Sequence, residues 1–123
     1  MLQRGKSVRE CTRRYGVPNS PGVYIISEPS GEIVYIGKAG TLQQGGSFKE
    51  QGLRGRLCAK QNGVPRQTYF NRRMQEGRLD HIEVRWFVSF DDRVKVLPAK
   101  AEADLLQAYF EDHGKLPVWN EAL

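Results

Sequence analysis

The stretch GVYIISEPSGEIVYIGK, residues 22–38, contains two runs of β-branched and aromatic residues on either side of a short polar segment. The runs, residues 23–27 and 32–38, have the composition of β-strands. The segment between them, Glu28-Pro29-Ser30-Gly31, has the Pro, Ser and Gly that favour turns. The stretch therefore predicts an antiparallel β-hairpin, around which the rest of the domain is built.

Two tyrosines of the hairpin share one face of the predicted sheet. If Ser27 pairs with Glu32 across a four-residue turn, Tyr24 lies directly opposite Tyr35, with Cβ atoms about 5 Å apart. Both side chains would then reach one small ligand, and Gly37 on the same face would leave space for that ligand beside the backbone. Aromatic cross-strand pairs also stabilise hairpins without any functional role, so packing is the alternative.

The length and composition are those of a single globular domain. The chain has 123 residues, and we predict one domain over residues 1–123 that starts with a basic lead-in segment, residues 1–20. Hydrophobic residues make up 39% and charged residues 27%, which argues against disorder. No run approaches the roughly 20 apolar residues of a membrane span, and the N-terminus lacks the apolar segment of a secretory signal. We therefore expect a cytoplasmic protein with no membrane partner, in which Cys11 and Cys58 are separate reduced thiols.

The positive charge is concentrated in the middle of the chain. The net charge is +5, yet residues 49–78 contain eight Lys or Arg against two Glu, a net of +6. Cations contact phosphates while aromatic rings stack on bases, so Tyr69 and Phe70 among these arginines suit a nucleic-acid partner. A solvated helix face is the alternative. The predicted nucleic-acid contacts are Lys49, Arg54, Lys60, Arg66, Tyr69, Arg72 and Arg73.

The remaining patterns predict an α+β domain with the element order β-β-α-α-β-α. Residues 40–52 contain four glycines and predict a loop, while residues 53–61 and 66–75 each favour a short helix. Residues 80–90 alternate apolar and polar, the pattern of a half-buried strand. Pro98 favours the start of a last helix that ends near His113, because Gly114 suits the position after a helix. We expect a small three-stranded sheet, antiparallel or mixed, flanked by helices.

Five short motifs, in their order along the chain, resemble those of the GIY-YIG nuclease family. They are Gly22-Val23-Tyr24, Tyr35-Ile36-Gly37-Lys38, Leu53-Arg54-Gly55-Arg56-Leu57, Glu102 and Asn120. Each motif is weak alone, but their order and spacing together are specific and extend over residues 21–120. The resemblance implies a small central sheet surrounded by helices, in the order predicted above.

The same resemblance implies a function. Members of the family hydrolyse phosphodiester bonds in DNA with one divalent metal ion, and they include homing endonucleases, restriction enzymes and the incision subunit of bacterial excision repair. The chain is thus expected to be a DNA endonuclease of repair or recombination that uses Mg²⁺ or Mn²⁺, one ion per site, and no small-molecule cofactor.

The resemblance also implies roles for the motif residues. Tyr24 would be the general base with the assistance of Lys38, and Tyr35 would bind the phosphate or order water. A phenol has an ordinary pKa near 10, so we expect the cations Lys38 and Arg56 to favour the phenolate. Strict alternation places Lys38 on the opposite face from Tyr35, so it must lie at the end of its strand for this role. Arg56 matches the family arginine and would bind two phosphate oxygens at once.

Glu102 is the candidate metal ligand on physical grounds as well. On a helix that begins near Pro98, it shares the apolar stripe of Leu105, Leu106 and Tyr109, which should face the sheet. A carboxylate there is costly to bury unless a positive group meets it. Mg²⁺ often binds through one or two carboxylates together with water and substrate oxygens. The alternative is a first-turn glutamate that interacts with the helix N-terminus.

Other positions complete the family pattern or depart from it. Asn120 and Gly37 are the predicted structural residues of the site, and the amide of Asn120 could hold backbone groups around it. The loop of residues 40–52 is longer than in the most compact members. Lys60 stands where many members have His or Tyr, which leaves the proton transfer unassigned.

Two other classes of function remain open. A binding module of the same fold would hold DNA without cleaving it, although a binder has no use for a lone carboxylate among cations. A protein that binds single-stranded RNA through Tyr69 and Phe70 is the second. A P-loop is excluded, because GxxxxGK[ST] would need glycine at Glu32 and Ser or Thr at Ala39.

Overall fold

A computed structural model describes residues 1–48, 52–58, 60–61 and 64–120 and shows an α+β domain with a four-stranded antiparallel sheet. In chain order the elements are β1 (Leu2–Gln3), α1 (Val8–Arg14), β2 (Gly22–Ser27), β3 (Ile33–Ala39), α2 (Leu53–Cys58), β4 (Lys60–Gln61), β5 (Val64–Pro65), α3 (Arg66–Glu76), β6 (His81–Val88) and α4 (Pro98–His113). The sheet has the strand order β1-β6-β2-β3, and β4 pairs with β5 in a separate ladder. The predicted α+β class is confirmed. The predicted three strands and element order are incomplete, because β1, α1 and the β4–β5 ladder add to them.

The β2–β3 hairpin forms as predicted, but its register differs. Its loop has five residues, 28–32, and Val34 is an extra residue of β3 that lies outside the pairing with β2. Each irregularity shifts the pairing by one residue relative to the prediction. Tyr24 therefore lies opposite Gly37, and the prediction that it lies directly opposite Tyr35 is wrong. Since the total shift is two residues, both tyrosines remain on the same face of the sheet.

The first 20 residues are an integral part of the fold. β1 extends the sheet by pairing with β6, and Ser7 caps α1 because its Oγ accepts from the backbone N–H of Glu10 at 3.2 Å. Gln67 of α3 binds the same segment twice. Its Oε1 accepts from the N–H of Val8 at 2.6 Å, and its Nε2 donates to the carbonyl of Lys6 at 2.7 Å. The basic lead-in segment is therefore fixed to both α3 and the sheet.

The two faces of the sheet carry different layers. The face with Tyr24 and Ile26, here called the tyrosine face, packs against the first three helices through Val8, Leu53, Leu57, Phe70 and Met74. The other face, here called the α4 face, packs Ile25 and Ile36 against Leu106 and Tyr109. Each large apolar side chain that is fully buried contributes about 1.5–3 kcal/mol. Both layers therefore fix β2 and β3 in place.

The later elements follow the sequence pattern with local differences. α3 and α4 have nearly the predicted bounds, and α4 ends at His113 because Gly114 adopts a left-handed conformation with φ 71°. α2 ends at Cys58, and the chain has entered β4 by Lys60, so the predicted helix over residues 53–61 is too long. In the predicted loop, Leu42 forms an isolated β-bridge with Phe48.

Two further expectations concern the thiols and the membrane. Cys11 and Cys58 are both free, as predicted. Of the helices in the described ranges, none combines the length and the apolar character needed to cross a bilayer.

Candidate functional site

The two hairpin tyrosines lie over Gly37. Their ring centroids are 5.8 Å apart and the ring planes form an angle of 32°. A Cβ atom at position 37 would lie 2.6 Å from Cζ and 2.7 Å from Oη of Tyr24, and 2.7 Å from Cε1 of Tyr35. Glycine is therefore required by the close approach of both rings. The space that this glycine was predicted to leave for a ligand is filled by the phenols themselves.

Arg66, predicted to contact nucleic acid at the surface, is instead buried against the tyrosines. It is 0% exposed, and its Nη1 donates to Oη of Tyr24 at 2.8 Å. Its Cζ lies 5.8 Å from the ring centroid of Tyr24 and 5.9 Å from that of Tyr35. Among the described residues, its Nε and Nη2 have no hydrogen-bond partner, and no carboxylate forms an ion pair with it.

The prediction for Arg66 is wrong because α3 turns this residue inward. Arg66, Phe70 and Met74 are the buried residues of the helix and recur at a spacing of four, which places them on one side of it. The signal was present in the sequence, since Arg66 continues the apolar stripe toward the N-terminus of α3. The charge of Arg66 favours an exposed position, whereas its position in the helix favours the buried one that the structure shows.

Burial and charge act in opposite directions on Tyr24. The side chain is 0% exposed, and burial raises its pKa above the ordinary value of 10.0. The charge of Arg66 lowers the pKa, Tyr35 raises it, the charge of Arg56 lowers it, and a hydrogen bond with Tyr35 raises it again. Arg56 does favour the Tyr24 phenolate, as expected, but burial outweighs the nearby charges, so Tyr24 keeps its proton.

Glu102 lies on the other side of the sheet from the tyrosines. The stripe of α4 with Leu106 and Tyr109 packs on the α4 face, as predicted, and Glu102 is half-buried. Burial raises the pKa of its carboxyl, whereas the positive charges of Lys38 and Arg56 lower it. In the part of the chain that the structure describes, no ion pair involves Glu102. It is thus a partly desolvated carboxylate near two cations, without a direct partner there.

Arg56 influences groups on both sides of the sheet, whereas Lys38 lies on the side of Glu102. Lys38 is the penultimate residue of β3, where it lies on the α4 face and its Nζ donates to Oγ1 of Thr41 at 3.3 Å. Arg56 of α2 is half-buried, and its Nε is without a partner in the described residues. The charge of Arg56 acts on both Tyr24 and Glu102. Since β3 is an edge strand, groups from both faces can meet around its end, and Arg56 lies close enough to influence both.

Asn120 holds the edge of β3. Its Oδ1 accepts from the backbone N–H of Ile36 and its Nδ2 donates to the carbonyl of Ile36, both at 3.0 Å. The N–H of Trp119 donates to the carbonyl of Val34 at 2.8 Å. The C-terminal segment therefore satisfies backbone groups that an edge strand would leave unpaired. Ile36 directly follows Tyr35, so Asn120 fixes the backbone that carries the second tyrosine, a structural role of the kind expected from the sequence.

The donor groups near Glu102 fit one kind of metal site. No cluster of three or more His, Cys, Asp or Glu comes together within the described ranges, so a site enclosed by protein ligands is not found there. Mg²⁺ also uses sites with one or two carboxylates, completed by water and substrate oxygens. A partly desolvated Glu102 without an ion pair in the described residues fits this second kind.

The predicted nucleic-acid contacts on the helices lie in different environments. Arg54 and Arg72 are exposed. Lys49 lies outside the described residues, and for Lys60 the structure describes the backbone alone.

The aromatic residues of α3 belong to the core or to its border. Phe70 is 1% exposed, so the prediction that it stacks on bases is wrong. Tyr69 is half-buried, with its ring centroid 6.3 Å from that of Trp119. Arg73 covers both rings, since its Cζ lies 5.4 Å from the centroid of Tyr69 and 6.0 Å from that of Trp119. This group stabilises the packing of the C-terminal segment against α3.

Comparison of the chain with protein-family models, with curated proteins and with solved structures gives no significant match. The resemblance to the GIY-YIG nuclease family therefore depends on the five sequence motifs alone.

Proposed function

We propose that this protein is a metal-dependent endonuclease of the GIY-YIG type that hydrolyses phosphodiester bonds in DNA. The observation that supports the proposal most strongly is the half-buried Glu102, which lies among the charges of Lys38 and Arg56 without an ion pair in the described residues. A perturbed carboxylate beside cations is typical of functional sites, because a ligand completes its electrostatic balance. A metal ion and a phosphate would complete it together.

Arg56 and Lys38 are suited to bind the phosphate. The guanidinium of Arg56 is always charged and can contact two phosphoryl oxygens, and its Nε has no partner among the described residues. Lys38 lies near the end of β3 as a second positive charge. When bound at Glu102, Mg²⁺ or Mn²⁺ would neutralise further charge on the phosphoryl oxygens and the leaving group.

Tyr35 is a better candidate than Tyr24 for the proton acceptor. Tyr24 is fully buried, and because burial raises its pKa it retains its proton, whereas Tyr35 is half-buried and reaches the surface. Arg66 donates to Oη of Tyr24 at 2.8 Å and so fixes that phenol beside Tyr35. The guanidinium of Arg66 also lies 5.9 Å from the ring centroid of Tyr35, so a positive charge is close to the phenol that would accept the proton. This assignment replaces the role expected for Tyr24.

Nicking of supercoiled plasmid tests the proposal. Wild-type protein should nick the plasmid with Mg²⁺ or Mn²⁺ and not with EDTA, and Glu102→Gln should reduce the rate by at least about 100-fold. Asp104→Asn is the matched control, because Asp104 is exposed on the same helix and forms an ion pair with Lys100 at 2.7 Å. It should nick like wild type. Equal nicking by wild type and Glu102→Gln would assign the activity to a contaminant and reject the proposal.

A non-cleaving DNA- or RNA-binding module is the second candidate function. The buried, neutral Tyr24 favours it, since a module that only binds needs no residue to activate water. Metal-independent binding without cleavage of any duplex, nick, flap or junction would support the binding module and reject the nuclease.

A further inference from the structure

A polar cleft lies between α1 and α2, away from the tyrosines. Arg9, Arg13 and Arg54 line it together with Thr12 and Asn19, and its volume is about 340 Å³. All three arginines are exposed, and none of them forms an ion pair in the described part of the chain. The lining includes no Asp or Glu among the residues that the structure describes. The cleft therefore presents three guanidinium groups without a local counter-charge.

The walls of the cleft are fixed relative to each other. Oδ1 of Asn19 accepts from the N–H of Gly55 at 3.1 Å, and the carbonyl of Pro18 accepts from the N–H of Arg54 at 3.0 Å. A Cβ atom at Gly52 would lie 2.1 Å from the carbonyl oxygen of Asn19, so the chain entering α2 packs directly on the lead-in segment. The arginines thus project from two helices that are held together before any ligand binds.

The cleft is separate from the candidate active site but carried by the same helix. Leu53 and Leu57 are the buried residues of α2. With about 100° per residue, Arg54 and Arg56 lie on opposite flanks of this buried stripe, about 160° apart. The width of a helix is about 10 Å, which corresponds to about three nucleotides along one DNA strand. One duplex can therefore reach both flanks of α2.

We propose that the cleft of Arg9, Arg13 and Arg54 binds the phosphodiester backbone of the DNA, a few nucleotides from the bond that is cut. That the bound polymer is DNA rests on the proposed function. The contact gives a role to the basic lead-in segment, which contributes no residue to the candidate active site. Each guanidinium group can bind two phosphate oxygens at once. Three such groups in one cleft suit several consecutive phosphates of a nucleic-acid backbone better than a single phosphate ion. The contact holds and orients the duplex and is independent of base sequence.

Salt dependence of DNA binding, measured without cleavage, tests this contact. Fluorescence anisotropy of a labelled duplex with full-length protein in EDTA gives the slope of log K against log salt. The triple change Arg9→Gln, Arg13→Gln and Arg54→Gln should reduce that slope by up to about 2.7, since each lost phosphate contact removes about 0.9. The matched control changes Arg85, Arg93 and Lys115 to Gln, which removes the same charge from exposed positions outside the cleft. Its slope should equal that of wild type.

The outcomes separate this contact from the nuclease proposal. A smaller slope in the cleft variant with a wild-type slope in the control supports the contact, even if no plasmid is ever nicked. Equal slopes for the cleft variant, the control and wild type would overturn the contact and leave the nuclease proposal intact. Equal reductions in both variants would also overturn it, because the effect would then follow net charge. If the triple change weakens the binding of single-stranded RNA but not of the DNA duplex, the assignment of the cleft to DNA is overturned.

Discussion

Replacement of Arg66 by methionine tests whether the buried guanidinium lacks a compensating partner. Arg66 is 0% exposed, and its described side-chain hydrogen bond runs from Nη1 to Oη of Tyr24 at 2.8 Å. Its Nε and Nη2 are buried, with no partner among the described residues. Methionine is unbranched and adaptable, so it can fill most of the space that the arginine side chain occupies.

The structure sets the sign and size of the effect. Loss of a hydrogen bond from a charged donor costs about 1.5–3 kcal/mol, whereas each buried unsatisfied polar group costs about 1–3 kcal/mol. With two such groups relieved and one bond lost, the midpoints of these ranges give a rise of about 2 kcal/mol in the free energy of unfolding of Arg66→Met. Replacement of buried charged groups by apolar side chains in other proteins has had effects of this size. For a domain of 123 residues the melting temperature should rise by about 8 °C.

Urea and thermal unfolding of Arg66→Met beside Arg72→Met measure the effect. Arg72 is exposed on the same helix, so its replacement should change stability by less than about 0.5 kcal/mol. On the proposed function, nicking by Arg66→Met should fall by about 10-fold or more even though the protein is more stable, because the guanidinium beside both tyrosines is removed. If Arg66→Met instead lowers the free energy of unfolding by more than about 2 kcal/mol, a partner group must balance the guanidinium charge in the wild type, and the reasoning is refuted.

Three further predictions follow from the same site. Because its folded pKa is raised, Tyr24 stabilises the fold below its ordinary pKa of 10.0 and loses that contribution as the pH rises above it. Urea unfolding should therefore show wild type losing stability above about pH 10 and Tyr24→Phe losing less. If the free energy of unfolding falls equally with pH in both proteins, the raised pKa of buried Tyr24 is contradicted. Gly37→Ala should destabilise by about 1–3 kcal/mol through its clash with the two rings, while Gly45→Ala, with nothing within 4 Å of its Cβ, should change stability by less than about 0.5 kcal/mol. Mg²⁺ at ten times its Kd should add about 1.4 kcal/mol to the stability of wild type and of Asp104→Asn but nothing to Glu102→Gln, and an equal shift in Glu102→Gln would place the ion elsewhere.

Elements with strong local signals were predictable from the sequence. Pro98 and Gly114 mark the ends of α4 because proline suits a first helical position and glycine the left-handed residue after a helix. The alternation of apolar and polar residues likewise predicted β6, in which Ile82 is buried while Glu83 and Arg85 are exposed. Local chemistry decides these features, and they do not depend on distant contacts.

Features that depend on tertiary contacts were not predictable in this way. The bulge at Val34 lies where the N–H of Trp119 donates to its carbonyl, a contact between residues 85 positions apart. β1 has two residues and gains its definition from pairing with β6. Arg66 carries a helical signal, but a burial prediction for arginine conflicts with the general exposure of charged side chains. The pairing of β3, the formation of β1 and the burial of Arg66 thus each depend on an element distant in the sequence.

The division of the candidate site between two faces of the sheet limits where a reacting phosphate can bind. Tyr35 lies on the tyrosine face and Lys38 on the α4 face, yet both belong to β3, an edge strand. Asn120 bonds both backbone groups of Ile36, so the middle of that edge is occupied. On the proposed function, a phosphate that contacts groups from both faces must therefore bind near the end of β3, where Arg56 influences both Tyr24 and Glu102. In this arrangement Asn120 would keep the phosphate at the strand end, because it occupies the edge beside it.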